Sequence, residues 1–152
     1  MPIVTTIEGR IAQVAIDRPE KRNTLSSELC KDLAREFLEL NDDTRVRSIV
    51  LCGHNNVFCA GLDIEEQLAE NTPIFNEFQK VIDALDALSK PVVAAVSGPA
   101  VSQGAAMLYH CDLVFAGEHA LFSMPGLALG QTPRYGVSLL AVKSGGYKLA
   151  AQ

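Results

Sequence analysis

The chain has 152 residues, 48% of them hydrophobic and 20% charged, with a formal net charge of −5. That length suffices for one domain with a sizeable core, and the acidic balance offers no basic stripe to neutralise a nucleic-acid backbone, although a few local cations are enough for one phosphorylated small molecule. No apolar run approaches the ~20 residues of a membrane-spanning helix, and the start MPIVTTIEGR has neither the basic head nor the apolar core of a secretory signal. We therefore expect a cytoplasmic protein with no nucleic-acid and no membrane partner.

Residues 3–7 and 11–16 are two short, partly alternating runs joined through Glu8-Gly9-Arg10, which predicts a hairpin. Residues 17–23 form a polar loop with three cations, Arg18, Lys21 and Arg22. Ser26 or Ser27 opens a helix to about residue 40, because Leu29, Leu33, Phe37 and Leu40 recur at helical spacing. Residues 47–52 (RSIVLC) read as the next buried strand, so strand, helix and strand make one βαβ unit. Asp63, Glu65 and Glu66 suit the positive end of a short helix. Thr72 and Pro73 open a longer helix to about residue 89, with an apolar stripe of Ile74, Phe78, Val81, Leu85 and Leu88.

Residues 90–117 organise the rest. Residues 91–96 are an unbroken apolar run, short enough for a buried strand, which Ser97-Gly98-Pro99 stops. Ser102 is placed to cap a helix through Ala105, Ala106, Met107 and Leu108, and a second apolar run at 113–116 predicts another buried strand. Strand, glycine turn, helix and strand give an α/β fold with a ligand near a helix start. Beyond it, residues 120–122 suggest a short strand, 126–136 a loop and 137–142 a helix. The last six residues begin an amphipathic segment without a cap, from which we expect a fragment or a variant lacking its end.

Cys30, Cys52, Cys59 and Cys111 contain no C-x-x-C pair and sit among apolar neighbours, which predicts reduced, buried thiols. The spacing of Cys52, His54 and Cys59, and of His110, Cys111 and Asp112, fits no common zinc pattern, so no metal is expected.

Three pieces together resemble the enoyl-CoA hydratase/isomerase, or crotonase, family. They are Arg18-Pro19 with Asn23-Thr24-Leu25-Ser26, the run from Phe58 through Ala60-Gly61-Leu62-Asp63-Ile64, and Lys90-Pro91 through Gly98-Pro99-Ala100 to Cys111-Asp112-Leu113. The resemblance implies a spiral of ββα units, here residues 1–152 as an N-terminal core without the family's C-terminal helices, assembling as trimers or pairs of trimers when full length. It implies an acyl-CoA thioester as substrate, with coenzyme A carried in on the substrate and no separate cofactor. Two backbone N–H groups would stabilise the enolate-like thioester oxygen, those of Leu62 and Gln103, each such donor being worth roughly 3–4 kcal/mol. The family commonly has glycine where Gln103 stands. The coenzyme would lie along Ala60, Gly61, Asp63 and Ile64, with Arg18, Lys21 or Arg22 on its phosphates.

The resemblance fails at the acid/base groups. Hydration needs two carboxylates to position water and move a proton. The matching positions hold Ala106 and Gly126, and the place of an isomerase glutamate holds Arg134, which stays protonated and suits a substrate carboxylate or an oxyanion instead. Tyr135, His110, His119 and Asp63 are the remaining titratable groups nearby, each read as structural. The expectation is an acyl-CoA enzyme of isomerase, lyase or decarboxylase type. The alternative is a non-catalytic acyl-CoA-binding or assembly module of the same fold. A serine hydrolase elbow at Ser102 is disfavoured, because Ser102 stands well beyond the end of its strand, with Gly98-Pro99 between. A dinucleotide site is disfavoured because no G-x-G-x-x-G occurs.

Overall fold

A computed structural model describes residues 2–69 and 71–150. Strands β1 (Ile3–Glu8) and β2 (Ile11–Ile16) form the expected antiparallel hairpin, with Gly9 taking the positive φ of +61° that the tight connection requires. Helix α1 (Ser27–Asp42) then crosses over to β3 (Ser48–Gly53), which pairs parallel to β2 with Ile11 opposite Ser48. Ser26 caps α1, its hydroxyl accepting from the Leu29 N–H at 3.1 Å.

The short α2 (Ile64–Gln67) and the longer α3 (Ile74–Asp86) lead to β4 (Val92–Val96), parallel to β3. Helix α3 begins after Pro73 and stops three residues before Ser89. Thr72 still holds its first turn, its hydroxyl accepting from the Ile74 N–H at 3.3 Å. The alternate residues Ala12, Val14, Ile16, Ile49, Leu51, Val92, Ala94 and Val96 are buried with Leu29, Leu33 and Phe37 of α1 and Phe78, Val81 and Leu85 of α3 in one core. Helices α1 and α3 pack on each other, as their apolar stripes predict.

From β4 onward the chain repeats a unit. A strand of the main sheet is followed by a two-residue strand turned out of it, then by a helix. The first such unit is β4, β5 (Ala100–Val101) and α4 (Gln103–Leu108); the second is β6 (Leu113–Ala116), β7 (Phe122–Ser123) and α5 (Val137–Gly145), after which α6 (Tyr147–Ala150) follows. The main sheet runs β1-β2-β3-β4-β6, and β5 pairs parallel with β7 in a second, small sheet. Isolated parallel bridges extend that second layer, Cys59 to Ala100 and Leu25 to Leu62. Neither β5 nor this layer was expected from the sequence.

Three expectations need correction. Strand β6 is exposed along its whole length, with Phe115 65% accessible, because it lies at the sheet edge with no strand beyond it among the described residues. Ser102 does not cap α4. Its backbone sits at φ +54°, ψ −116°, and its hydroxyl donates instead to Oε1 of Gln103 at 2.7 Å. Of the four free cysteines only Cys30 and Cys59 are buried; Cys52 and Cys111 are half-buried. No helix among the described residues is long and apolar enough to cross a membrane.

Candidate functional site

The second layer brings the two expected turns together. The Cys59 carbonyl accepts from the Val101 N–H at 2.9 Å, and the Ser102 N–H donates to Ser123 at 2.8 Å, so segments 59–62, 100–103 and 121–123 lie side by side. The contact between the first two is close enough to demand glycine. A β-carbon at Gly104 would overlap the Cys59 carbonyl oxygen, and one at Gly61 would stand 3.2 Å from Ser102 Cβ and 3.3 Å from Gln103 Oε1. Gly61 takes φ +97°, and the next N–H, of Leu62, takes no part in the ladder bonds that Gly61 and Asp63 make with Leu25. Among the described residues neither the Leu62 nor the Gln103 N–H finds a protein acceptor, although both residues are buried. Two unsatisfied amides beside one close contact are the kind of buried donors that a ligand oxygen satisfies.

The basic loop closes over the same turn. Asn23, fully buried, accepts from the Arg18 N–H at 2.8 Å and donates to the carbonyls of His54 (3.0 Å) and Val57 (2.7 Å). The Arg22 carbonyl accepts from the Ala60 N–H at 3.2 Å. Arg18 is largely committed within the protein, its Nη1 donating to Asp63 at 3.0 Å and to the Thr24 carbonyl at 3.2 Å. Asp63 also caps α2 through the Glu65 N–H. Lys21 pairs with Glu65 at 2.8 Å, and that hydrogen bond pushes its pKa up against a partial loss of hydration. Arg22 and Ile64 are exposed. Arg18, Lys21, Arg22, Ala60, Gly61, Leu62, Asp63 and Ile64 thus share one corner, and Gln103 faces it across Gly61.

On the other side of Gln103 opens a cavity of about 630 Å³. Its wall contains Ala106, Gly126 and Arg134, the three positions expected to lack a carboxylate, together with Tyr135. Among the described residues no aspartate or glutamate lines it. The Arg134 guanidinium stands 4.9 Å from the centre of the Phe75 ring. Tyr135 packs edge-on against Phe78 with its hydroxyl buried and unpaired, and burial pushes its pKa up to about 12. A phenol held that firmly neutral is no general base near neutral pH.

The other titratable candidates are committed elsewhere or far from a partner. His110 spans two elements, with Nδ1 at 2.7 Å from Asp86 and Nε2 at 2.9 Å from the Tyr135 carbonyl. His119 is exposed beside Glu118. Ser102 has no histidine partner among the described residues, which removes the hydrolase reading. Two features were missed in the sequence: the Asn23 clamp and the carboxamide of Gln103. The clamp had a visible signal, since an asparagine in a polar loop is suited to a positive φ, and Asn23 has φ +57°.

The sequence and the fold match those of known proteins. A family model described as enoyl-CoA hydratase/isomerase matches residues 6–152. The chain is similar to a short-chain-enoyl-CoA hydratase of Clostridium acetobutylicum, 35% identical over 139 residues that cover 88% of this chain and 53% of that protein. It is similar to a 2,3-dehydroadipyl-CoA hydratase of Escherichia coli K12, 31% identical over 152 residues, with 99% and 60% covered. The crystal structure of an enoyl-CoA hydratase/isomerase from Pseudoalteromonas atlantica superposes with a TM-score of 0.91 at 32% identity, over 99% of this chain and 60% of that one. The chain therefore spans between half and two-thirds of the length of these proteins. With the family model matched over nearly the whole chain and a fold shared with solved members, the chain belongs to the enoyl-CoA hydratase/isomerase family.

Proposed function

We propose that the chain binds an acyl-CoA thioester with its carbonyl oxygen between the N–H groups of Leu62 and Gln103, and stabilises the enolate-like charge there without hydrating the acyl group. The observation that carries this is the close approach of Gly61 to Ser102 and Gln103, with two buried amides beside it that have no protein acceptor. Preorganised amides of this kind act where charge develops, and removing water from the site strengthens them. The coenzyme lies along residues 60–64. Arg22 and Lys21 meet its phosphates, Lys21 by exchanging its exposed Glu65 partner, while Arg18 holds Asp63 and so holds the turn.

Hydration is absent because the cavity wall at Ala106 and Gly126 holds no group that moves a proton. The reaction left is one in which the enolate forms without a protein carboxylate, as in isomerase-, lyase- or decarboxylase-type chemistry. The same vacancy favours a second reading, a module that binds acyl-CoA and does no chemistry. We further propose that the protein assembles as a trimer or pair of trimers.

One experiment addresses both readings. Butyryl-CoA labelled with ¹³C at its carbonyl is bound to the chain in deuterated water. A lowered carbonyl stretch reports the two hydrogen bonds, and deuterium appearing at the α-carbon reports enolate formation. Binding with an unshifted carbonyl overturns the proposal. A shifted carbonyl with no exchange selects the binding module. Crotonyl-CoA should remain unhydrated in either case.

A further inference from the structure

The cavity beside Gln103 has a one-sided chemistry. Among the described residues that line it, Arg134 alone carries a charge. Arg134 takes part in none of the ion pairs among the described residues. Its guanidinium lies over the Phe75 ring, which does not neutralise it, and its N–H donors have no acceptor among the described residues. Gln103 supplies a second donor. Its residue is only 8% exposed, and its Oε1 is occupied by the Ser102 hydroxyl at 2.7 Å. That bond orients the carboxamide, so Nε2, with two hydrogens and no protein acceptor among the described residues, is the atom left for a ligand. Both residues line the same space. Phe122, Met124 and Val137 give one stretch of the wall suited to carbon chain, beside the uncharged polar residues Ser123, Thr132 and Ser138. A cation and a largely buried amide donor, with no anion among the described lining residues to balance them, call for an acceptor that carries negative charge.

We propose that this cavity selects an acyl group bearing a second carboxylate, that is, the coenzyme A monothioester of a dicarboxylic acid. Arg134 pairs with the distal carboxylate, Gln103 Nε2 donates to the acyl group, and the carbon stem lies on the apolar wall. The inference rests on the acyl-thioester reading and names the substrate class of that site. No bond forms or breaks in it.

The test is calorimetric titration of the whole chain with valeryl-CoA and glutaryl-CoA, which have the same number of acyl carbons and differ in the terminal carboxylate. Glutaryl-CoA should bind at least about tenfold more tightly, as a charge-assisted pair in a partly enclosed site warrants, and raising the salt should shrink the ratio. In Arg134→Gln the ratio should fall to about one, and Arg134→Lys should restore part of it. A role confined to stacking on Phe75 predicts no such rescue. Equal affinities in the unmodified chain overturn this inference and leave the thioester reading standing. Binding of neither thioester overturns both. Arg134 is exposed, so thermal unfolding of each variant should match the parent; should Arg134→Gln fail to fold, the salt dependence of the ratio in the unmodified chain decides.

Discussion

Gly61 and Ser102 meet across two turns 41 positions apart in sequence, so close that a β-carbon on the glycine would stand 3.2 Å from the serine's. The serine side of this contact carries strain. Ser102 holds φ +54°, ψ −116°, a region that residues with a side chain rarely occupy, at a cost of about 1–3 kcal/mol. Ser102→Gly should therefore raise stability by about 1–2 kcal/mol in urea unfolding, less whatever the lost hydroxyl contributed. Ser102→Ala keeps the β-carbon and should give no gain. A gain from alanine as large as that from glycine would show that the hydroxyl, not the backbone, was the burden.

Arg18 reaches Asp63 at 3.0 Å while Lys21 reaches Glu65 at 2.8 Å, and the two pairs should behave differently. The Asp63 side chain is 7% accessible, whereas that of Glu65 is 82% accessible. Arg18→Ala leaves a buried carboxylate and the Thr24 carbonyl short of a donor, so it should cost about 2–3 kcal/mol. Lys21→Ala should leave the unfolding midpoint essentially unchanged, as loss of a surface pair does. A double-mutant cycle through Asp63→Asn should return most of the Arg18 loss as coupling.

The elements with strong periodicity were legible in the sequence, because burial on one face is all that α1, α3 and the strands β2 to β4 require. The second layer was not. β5 and β7 are two residues each, and the bridges at Leu25 and Cys59 are single pairs, too short to leave an alternation. For the same reason the recurring strand, short strand and helix leaves no repeat in the residues. Strand β6 reads as buried because its composition is apolar, but burial depends on what lies beyond the sheet edge. At the site, the resemblance picked out the turns at Gly61 and Gln103, whereas the unpaired state of Arg134 among the described residues and the orientation of the Gln103 carboxamide depend on packing that the sequence does not display.

The exposed edge has a consequence in solution. Leu113, Phe115, Leu121 and Phe122 are each more than half accessible, and Val114 and Met124 adjoin them. Apolar surface concentrated in this way drives association. Light scattering on the isolated chain should give a mass above the monomer, and Phe115→Lys should lower it without shifting the unfolding midpoint, since Phe115 is 65% exposed. A clean monomer at high concentration would contradict this.

Alkaline pH should unfold the protein through its thiols. Burial pushes Cys59 and Cys111 up to about 12 and Cys30 higher still, while the unfolded chain returns them to the ordinary thiol value of about 8.5. The folded state thus keeps these protons where the unfolded state releases them. The stability tied to them is complete below about pH 8.5 and is lost as pH rises toward 12, at up to about 1.4 kcal/mol per pH unit for each thiol. Tyr135, also held neutral to about 12, adds to the loss above its ordinary value near 10. Cys111 is the thiol to remove, since it is half-buried and donates only one weak bond, to the Met107 carbonyl at 3.4 Å. In Cys111→Ala the unfolding free energy should fall less steeply between pH 9 and 11, by close to one proton's worth of slope. An unchanged slope would mean that Cys111 ionises alike in both states, and that its burial does not resist the charge.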